Sequence, residues 1–111
     1  MRILVVGASG YIGGRLVPLL QAGGHELVLL GRDVRPLHDR FPGTTIVRGD
    51  LLDATTLAPA VERVELAFYL AHSMGPAGGG PGHGDFAERD LAAARNFATA
   101  AKQAGVQRIV Y

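Results

Sequence analysis

Several features are missing from this chain of 111 residues, and each absence excludes a class of function. It has no cysteine, which excludes disulfides, thiolate metal sites and cysteine nucleophiles, and which fits a reducing, cytoplasmic location. No apolar run approaches the roughly 20 residues that span a bilayer, so we expect no membrane partner. A strand pattern begins at residue 2, so we expect no signal peptide. The formal net charge is only +1, which gives no sign of a nucleic-acid partner.

The chain is rich in glycine, and three glycines near the N-terminus carry its clearest motif. Residues 3–6 are an apolar run typical of a strand buried on both faces, and Gly7, Gly10 and Gly13 follow at three-residue spacing before a helical pattern. Strand, glycine turn and helix N-terminus together form a cradle for a pyrophosphate, and the Ser9 hydroxyl could also reach phosphate. The alternative is that the glycines serve only the steric needs of a strand–helix turn.

Strand and helix patterns then alternate to the end of the chain. Strands are predicted over residues 3–6, 27–30, 45–48, 65–71 and 107–111, and helices over residues 11–22, 34–40, 54–61 and 85–104. The first helix is expected to bury Ile12, Leu16, Leu19 and Leu20. The last is expected to bury Phe86, Leu91, Ala94, Phe97, Ala98 and Ala101.

This order, βαβαβαβαβ without hairpin signals, predicts one α/β domain over residues 1–111. We expect a Rossmann-like, doubly wound parallel sheet of strand order 3-2-1-4-5 that stops after strand 5. Its ligand crevice should lie where the order reverses, at the carboxyl ends of strands 1 and 4. The glycine- and proline-rich residues 74–84 are predicted to be a mobile loop there, either a lid or a plain spacer.

The residues after strand 2 favour NADP as the cofactor, with NAD possible. Gly31 stands where NAD-binding proteins carry an acidic residue that binds the ribose, and Arg32 follows it. A planar, permanently charged guanidinium suits the 2′-phosphate of NADP, and Arg35 lies one helical turn further on. Two alternatives stay open: Asp33 could reach a ribose hydroxyl, and Arg32 could be a solvated loop charge.

The ends of strands 3 and 4 supply the remaining candidate residues. Asp50 could accept a hydrogen bond from the adenine amino group while Leu51 packs on the ring, or Asp50 could only cap a turn. Leu70, Ala71 and His72 should line the crevice near the nicotinamide. A lone histidine is more often structural than catalytic, and the other histidines lack metal-ligand spacing, so we predict no metal site.

Residues 7–14 (GASGYIGG) resemble a G-x-x-G-x-x-G fingerprint, and residues 49–51 resemble an adenine-contacting turn. Residues 69–74 and 86–97 resemble later stretches of the protein family that carries this fingerprint. The chain thus resembles the extended and atypical short-chain dehydrogenases/reductases, which include the NmrA-like and the NAD-dependent epimerase/dehydratase families. The predicted cofactor-binding residues are Gly7, Ser9, Gly10, Tyr11, Ile12, Gly13, Arg32, Asp50, Leu51, Leu70, Ala71 and His72.

The resemblance implies nicotinamide binding and, often, reductase or epimerase chemistry. It also implies a catalytic Tyr-x-x-x-Lys pair after strand 5, and this chain contains none. We therefore expect an N-terminal portion that is inactive alone, with a poorly covered sheet face near strands 4 and 5 that invites self-association. Two hypotheses follow: the cofactor-binding part of an NADP-dependent oxidoreductase, or a non-enzymatic NAD(P)H-binding redox sensor or assembly factor. A Tyr-x-x-x-Lys motif beyond Tyr111 would separate them.

Overall fold

Five parallel strands form one sheet in the order β3-β2-β1-β4-β5, which confirms the predicted order. The computed structural model describes residues 1–71 and 83–111, of which residues 83–86 are described by backbone alone. The strands are β1 (Arg2–Val6), β2 (Glu26–Gly31), β3 (Thr45–Arg48), β4 (Leu66–Tyr69) and β5 (Arg108–Val110). Thus β4 and β5 are shorter than predicted.

In the described part of the chain four α-helices connect the strands: α1 (Tyr11–Ala22), α2 (Arg35–Arg40), α3 (Ala58–Val61) and α4 (His83–Ala104). The helix predicted over residues 54–61 is wrong as a single element, because a 3₁₀ turn over Ala54–Thr56 precedes α3. Proline in the first turn of α3 explains the restart, since the first helical turn needs no amide donor there. The Asp53 cap is confirmed: its carboxylate accepts from the Thr55 amide at 3.1 Å.

The central strand β1 has a covered surface on both sides. Leu4 and Val6 pack in one core cluster with residues of α3 and α4, whereas Ile3 and Val5 pack in a second cluster with α1 and α2. All four of these side chains are almost fully buried. A strand covered on both faces needs apolar residues at every position, which is why residues 3–6 form a continuous run.

The predicted apolar face of α1 is wrong at Ile12 and Leu19, which are 66% and 70% exposed. The buried residues are instead Gly13, Gly14 and Val17. Gly13 lies against the backbone of Gly7 and Ala8, so the face of α1 that carries Gly13 must be turned toward the sheet. This orientation of the helix places Ile12 and Leu19 on the outside. The close packing of Gly13 therefore determines which face of α1 is buried, and the positions of the large apolar residues predicted that face wrongly.

The stripe predicted for α4 is wrong at Leu91, which is 52% exposed, and at Ala98, which is also exposed. Ala93, Phe97 and Ala101 are buried instead, at a spacing of four residues along one helix face. The predicted loop over residues 74–84 and the side chain of Phe86 lie outside the described residues, except that residues 83 and 84 belong to α4.

On the side of the sheet that carries α1 and α2, the edge formed by β4 and β5 is incompletely covered. Leu66, Phe68 and Leu70 are only partly buried there, and Val110 of β5 is 37% exposed. Self-association through this face stays a prediction. None of the helices in the described part of the chain has an apolar stretch that would traverse a bilayer.

Candidate functional site

An open cleft of about 960 Å³ lies at the carboxyl ends of β1, β2 and β4. It forms there because the chain leaves β1 toward one side of the sheet and β4 toward the other, which separates the two connections. Every predicted cofactor-binding residue in the described part of the chain borders it; His72 lies outside that part. The lining residues are Val6, Gly7, Ser9, Gly10, Tyr11, Ile12, Gly13, Leu30, Gly31, Arg32, Gly49, Asp50, Leu51, Leu52, Tyr69, Leu70, Ala71, Arg89, Asp90 and Ala93.

Residues 7–10, here called the phosphate turn, connect β1 to α1. Gly7 has a φ of 98°, a conformation that side chains disfavour, and a Cβ there would lie 2.8 Å from the Leu70 carbonyl carbon. A Cβ on Gly13 would overlap the carbonyl oxygen of Gly7. Both glycines are therefore required by the packing of backbone on backbone.

Gly10 differs, because the protein itself leaves room for a side chain at that position. Its φ is −79°, and the nearest atom to an added Cβ would be the Gly7 carbonyl oxygen at 3.4 Å. Steric need inside the chain thus explains Gly7 and Gly13 but not Gly10. A bare backbone beside an open cleft is what close approach of a ligand requires.

The N-terminus of α1 presents unpaired donors to the same cleft. The Gly14 amide donates to the Gly10 carbonyl at 2.9 Å, which is the first bond of the helical ladder. The amides of Tyr11, Ile12 and Gly13 precede it and have no acceptor within the helix. The helix dipole adds positive potential, and no acidic residue lies in the first turn to compete with an anion.

Beyond β2 the cleft is continued by a smaller pocket of about 340 Å³, which contains three arginines. Arg32 follows β2, Arg35 begins α2, and Arg48 ends β3; we call the three the arginine pocket. Asp33 also borders it, and one of its carboxylate oxygens accepts from the Arg35 amide at 3.2 Å.

Arg48 was missed by the sequence argument, although a signal for it existed. In the parallel register Arg48 pairs with Gly31, the residue that stands where an acid was expected. The predicted strand order already placed β3 beside β2. With β3 beside β2, the β3 residue that pairs with Gly31 at the ends of the two strands is Arg48.

The turn after β3 is held by several hydrogen bonds. Asp50 accepts from the Leu52 amide at 2.9 Å, so the turn-capping role that was left open is present. Asn96 of α4 donates to the Leu51 carbonyl at 2.8 Å, which ties this turn to the helix. The Leu51 side chain packs against the core and also borders the cleft. Leu52 borders the cleft as well and is 48% exposed.

On the far wall, β4 and α4 contribute Tyr69, Arg89 and Asp90, which sequence reasoning also missed. The Tyr69 ring lies 5.1 Å from that of Phe97. Burial raises the pKa of the Tyr69 hydroxyl above its ordinary 10.0, with smaller contributions from Asp90 and Tyr111. The signal for Asp90 was helical spacing, because Asp90 lies three residues before the buried Ala93 on α4.

Within residues 1–71 and 83–111, no group of three or more His, Cys, Asp or Glu side chains is placed to hold a metal ion. Asp50, Asp90 and Tyr69 border the cleft together with backbone amides and with Arg32 and Arg89. Backbone amides and guanidinium groups bind anions through directed hydrogen bonds and positive charge.

Comparisons with known proteins agree with this geometry. A family model described as NAD(P)H-binding matches residues 7–111. A 3-beta-hydroxysteroid dehydrogenase of Mycolicibacterium neoaurum is 34% identical over 114 residues, which cover 99% of this chain and 31% of that protein. A 2-alkyl-3-oxoalkanoate reductase of Stenotrophomonas maltophilia is 29% identical over 111 residues, covering 100% of this chain and 32% of that protein.

Among solved structures, the UDP-glucose 4-epimerase of Thermus thermophilus in complex with NAD superposes with a TM-score of 0.86 and 27% identity. The match covers 100% of this chain and 37% of that chain. The chain therefore spans about a third of the length of the proteins it resembles. The shared third holds the sheet, the phosphate turn and the cleft.

Proposed function

This chain belongs to the NAD(P)H-binding family, and from that premise we propose that residues 1–111 form the cofactor domain of an oxidoreductase that prefers NADP(H) to NAD(H). The observation that carries the preference is the arginine pocket beside the ribose end of the cleft. The membership itself does not distinguish the two cofactors, because the family description covers both.

The charge at this end of the cleft favours a phosphate over a hydroxyl group. Three arginines line one pocket, and a guanidinium group matches the planar, bidentate geometry of phosphate oxygens. The acidic residue that would bind a ribose hydroxyl is replaced by Gly31. Asp33 is a weaker candidate for that role, since it already accepts a hydrogen bond from the Arg35 amide.

The rest of the cofactor follows from the direction of the cleft. The pyrophosphate would lie on the phosphate turn, where Gly10 leaves the backbone open and the first amides of α1 are unpaired. The adenine would lie against Leu51, within reach of Asp50. The nicotinamide would then extend toward Leu70 and Ala71.

For the whole protein we propose interconversion of a secondary alcohol and a ketone. The two relatives described above are a 3-beta-hydroxysteroid dehydrogenase and a 2-alkyl-3-oxoalkanoate reductase. When bound, the nicotinamide supplies or accepts the hydride, and the residues of this chain bind and orient it. The proton donor belongs to another part of the protein, since this chain has no Tyr-x-x-x-Lys motif. We expect this chemistry in the cytoplasm, with which the lack of cysteine agrees.

The proposal is tested by calorimetric titration of the chain with NADPH and with NADH. Wild type should bind NADPH more tightly, Arg32→Ala should lose the preference, and Arg95→Ala should keep it. Arg95 is a suitable control because it is an exposed arginine of α4 away from the cleft. Equal affinity for both cofactors, unchanged in Arg32→Ala, would move the ribose contact to Asp33 and refute the preference.

The oxidoreductase activity needs a separate test on the protein that contains this domain. Oxidation of NADPH with a ketone substrate would support the enzyme. Tight NADPH binding without turnover across a broad panel of ketones and aldehydes would instead favour a redox sensor.

A further inference from the structure

Arg40, the last residue of α2, reaches across to the phosphate turn. Its Nη1 donates to the Ser9 carbonyl at 3.4 Å. Its Cζ lies 5.1 Å from the centre of the neighbouring Phe41 ring, and that side chain is buried in the core. Contact with a fixed aromatic ring restricts where the guanidinium can lie.

The guanidinium also rests directly on Gly14 of α1. A Cβ at Gly14 would overlap Nη2 of Arg40 and lie 2.8 Å from its Cζ. Backbone conformation does not require glycine here, because Gly14 lies in the helix with ordinary φ. Glycine inside a helix costs about 1 kcal/mol relative to alanine, so its presence calls for a packing reason. The Arg40 guanidinium supplies that reason.

The bond to Ser9 acts on one particular peptide group. The Ser9 carbonyl and the Gly10 amide belong to the same planar unit. The Gly10 end is fixed by its hydrogen bond to the Gly7 carbonyl at 3.1 Å, and the Ser9 end is fixed by Arg40. With both ends hydrogen-bonded, the plane of this last peptide of the phosphate turn is restrained before any ligand binds.

We infer that Arg40 is a positioning residue for the phosphate turn, and that Gly14 is glycine so that the Arg40 guanidinium can reach it. The inference rests on dinucleotide binding in the cleft but not on the proposed NADP preference. Arg40 acts on the Ser9–Gly10 peptide, which meets a part common to both cofactors. Its effect is therefore the same for NADPH and NADH, unlike that of Arg32.

Two variants remove the same contact in different ways. Arg40→Ala deletes the guanidinium, and Gly14→Ala displaces it, since the free end of a side chain yields more easily than a helix. Each should weaken NADPH and NADH equally, by about three- to tenfold. The double variant should be no weaker than either single one. Gly14→Ala should also leave the melting temperature unchanged or raised, a result that a merely structural role of Arg40 would not give.

The experiment combines calorimetry of these variants with amide NMR of the unliganded chain. We expect the Ser9 and Gly10 signals to shift in Arg40→Ala and Gly14→Ala, to return in part in Arg40→Lys, and to stay in place in Arg95→Ala. Unmoved signals in Arg40→Ala would overturn the inference, as would losses that multiply in the double variant. Equal wild-type affinity for NADPH and NADH would refute only the NADP preference, and the NMR arm decides on Arg40 even if neither cofactor binds.

Discussion

The two ends of the cleft are built on different principles. At the phosphate turn and the start of α1, Gly7 and Gly13 pack backbone on backbone so closely that neither position has room for a side chain. The arginine pocket is instead lined by exposed arginines that come from a loop, from α2 and from β3. The first end is therefore a condition of the fold, whereas the second can change without disturbing it. Dinucleotide binding depends on the first, and in the function proposed above the choice between NADP and NAD depends on the second.

The largest effect should come from Gly13→Ala, which tests whether the close packing of α1 on the phosphate turn is a condition of the fold. The added methyl group would overlap the Gly7 carbonyl oxygen, and backbone on both sides leaves little room to relax. We expect the free energy of unfolding to fall by about 3 kcal/mol, the upper range for overpacking. Urea denaturation measures it. A loss below about 0.5 kcal/mol, as at an ordinary surface position, would show that this turn is as adaptable as the arginine pocket.

Gly10→Ala should separate binding from folding within the same turn. Because the chain has room for a Cβ at this position, the free energy of unfolding should fall by no more than about 1 kcal/mol, the size of a changed N-cap. The affinity for NADPH and NADH should nevertheless fall by about tenfold or more, since the methyl group would stand between backbone and pyrophosphate. Denaturation and calorimetry on the same samples give both numbers. Unchanged affinity would mean that the ligand does not approach Gly10.

Arg48→Met should alter cofactor choice alone. The substitution keeps a long side chain and removes the charge, so we expect NADPH affinity to fall by about fivefold, the value of an exposed charge contact, with NADH affinity unchanged. Arg108→Met is the matched control, because Arg108 is an exposed strand arginine on β5, away from the cleft. An equal loss for both cofactors would show that Arg48 supports the cleft as a whole.

How far sequence alone predicts this molecule follows the same division. The strand order was predicted correctly because apolar runs, glycine turns and right-handed crossovers restrict a βαβ chain to very few arrangements. The rotation of α1 was not, because it depends on the contact of Gly13 with the Gly7 carbonyl rather than on large apolar residues such as Ile12. Hydrophobic periodicity records the positions of large apolar side chains, and a glycine that packs backbone on backbone does not contribute to it.

For the site, the phosphate turn could be recognised because its residues are contiguous and its glycines are required in fixed order. Arg48 comes from β3, whereas Arg89 and Asp90 come from α4, and only folding brings these two elements to the cleft and the arginine pocket. Their positions follow from strand register and helix rotation, which are the least predictable features of this sequence. A site made of side chains from several elements is thus harder to foresee than one made of a continuous turn.

The smallest expected effect concerns Tyr69, which lies on the wall opposite the arginine pocket. The property under test there is the burial of a side chain rather than its charge. Burial raises the pKa of its hydroxyl above 10.0, so in alkaline solution the unfolded chain loses this proton before the folded chain does. The stabilising contribution is complete below pH 10 and is lost as the pH rises through the folded-state pKa, so the free energy of unfolding should decline there. Tyr69→Phe should flatten that decline, as measured by urea denaturation at a series of alkaline pH values. Subtracting the tyrosinate absorbance titration of the variant from that of wild type isolates the titration of Tyr69. A midpoint of that titration below pH 10 would show that this wall is as open to water as the arginine pocket.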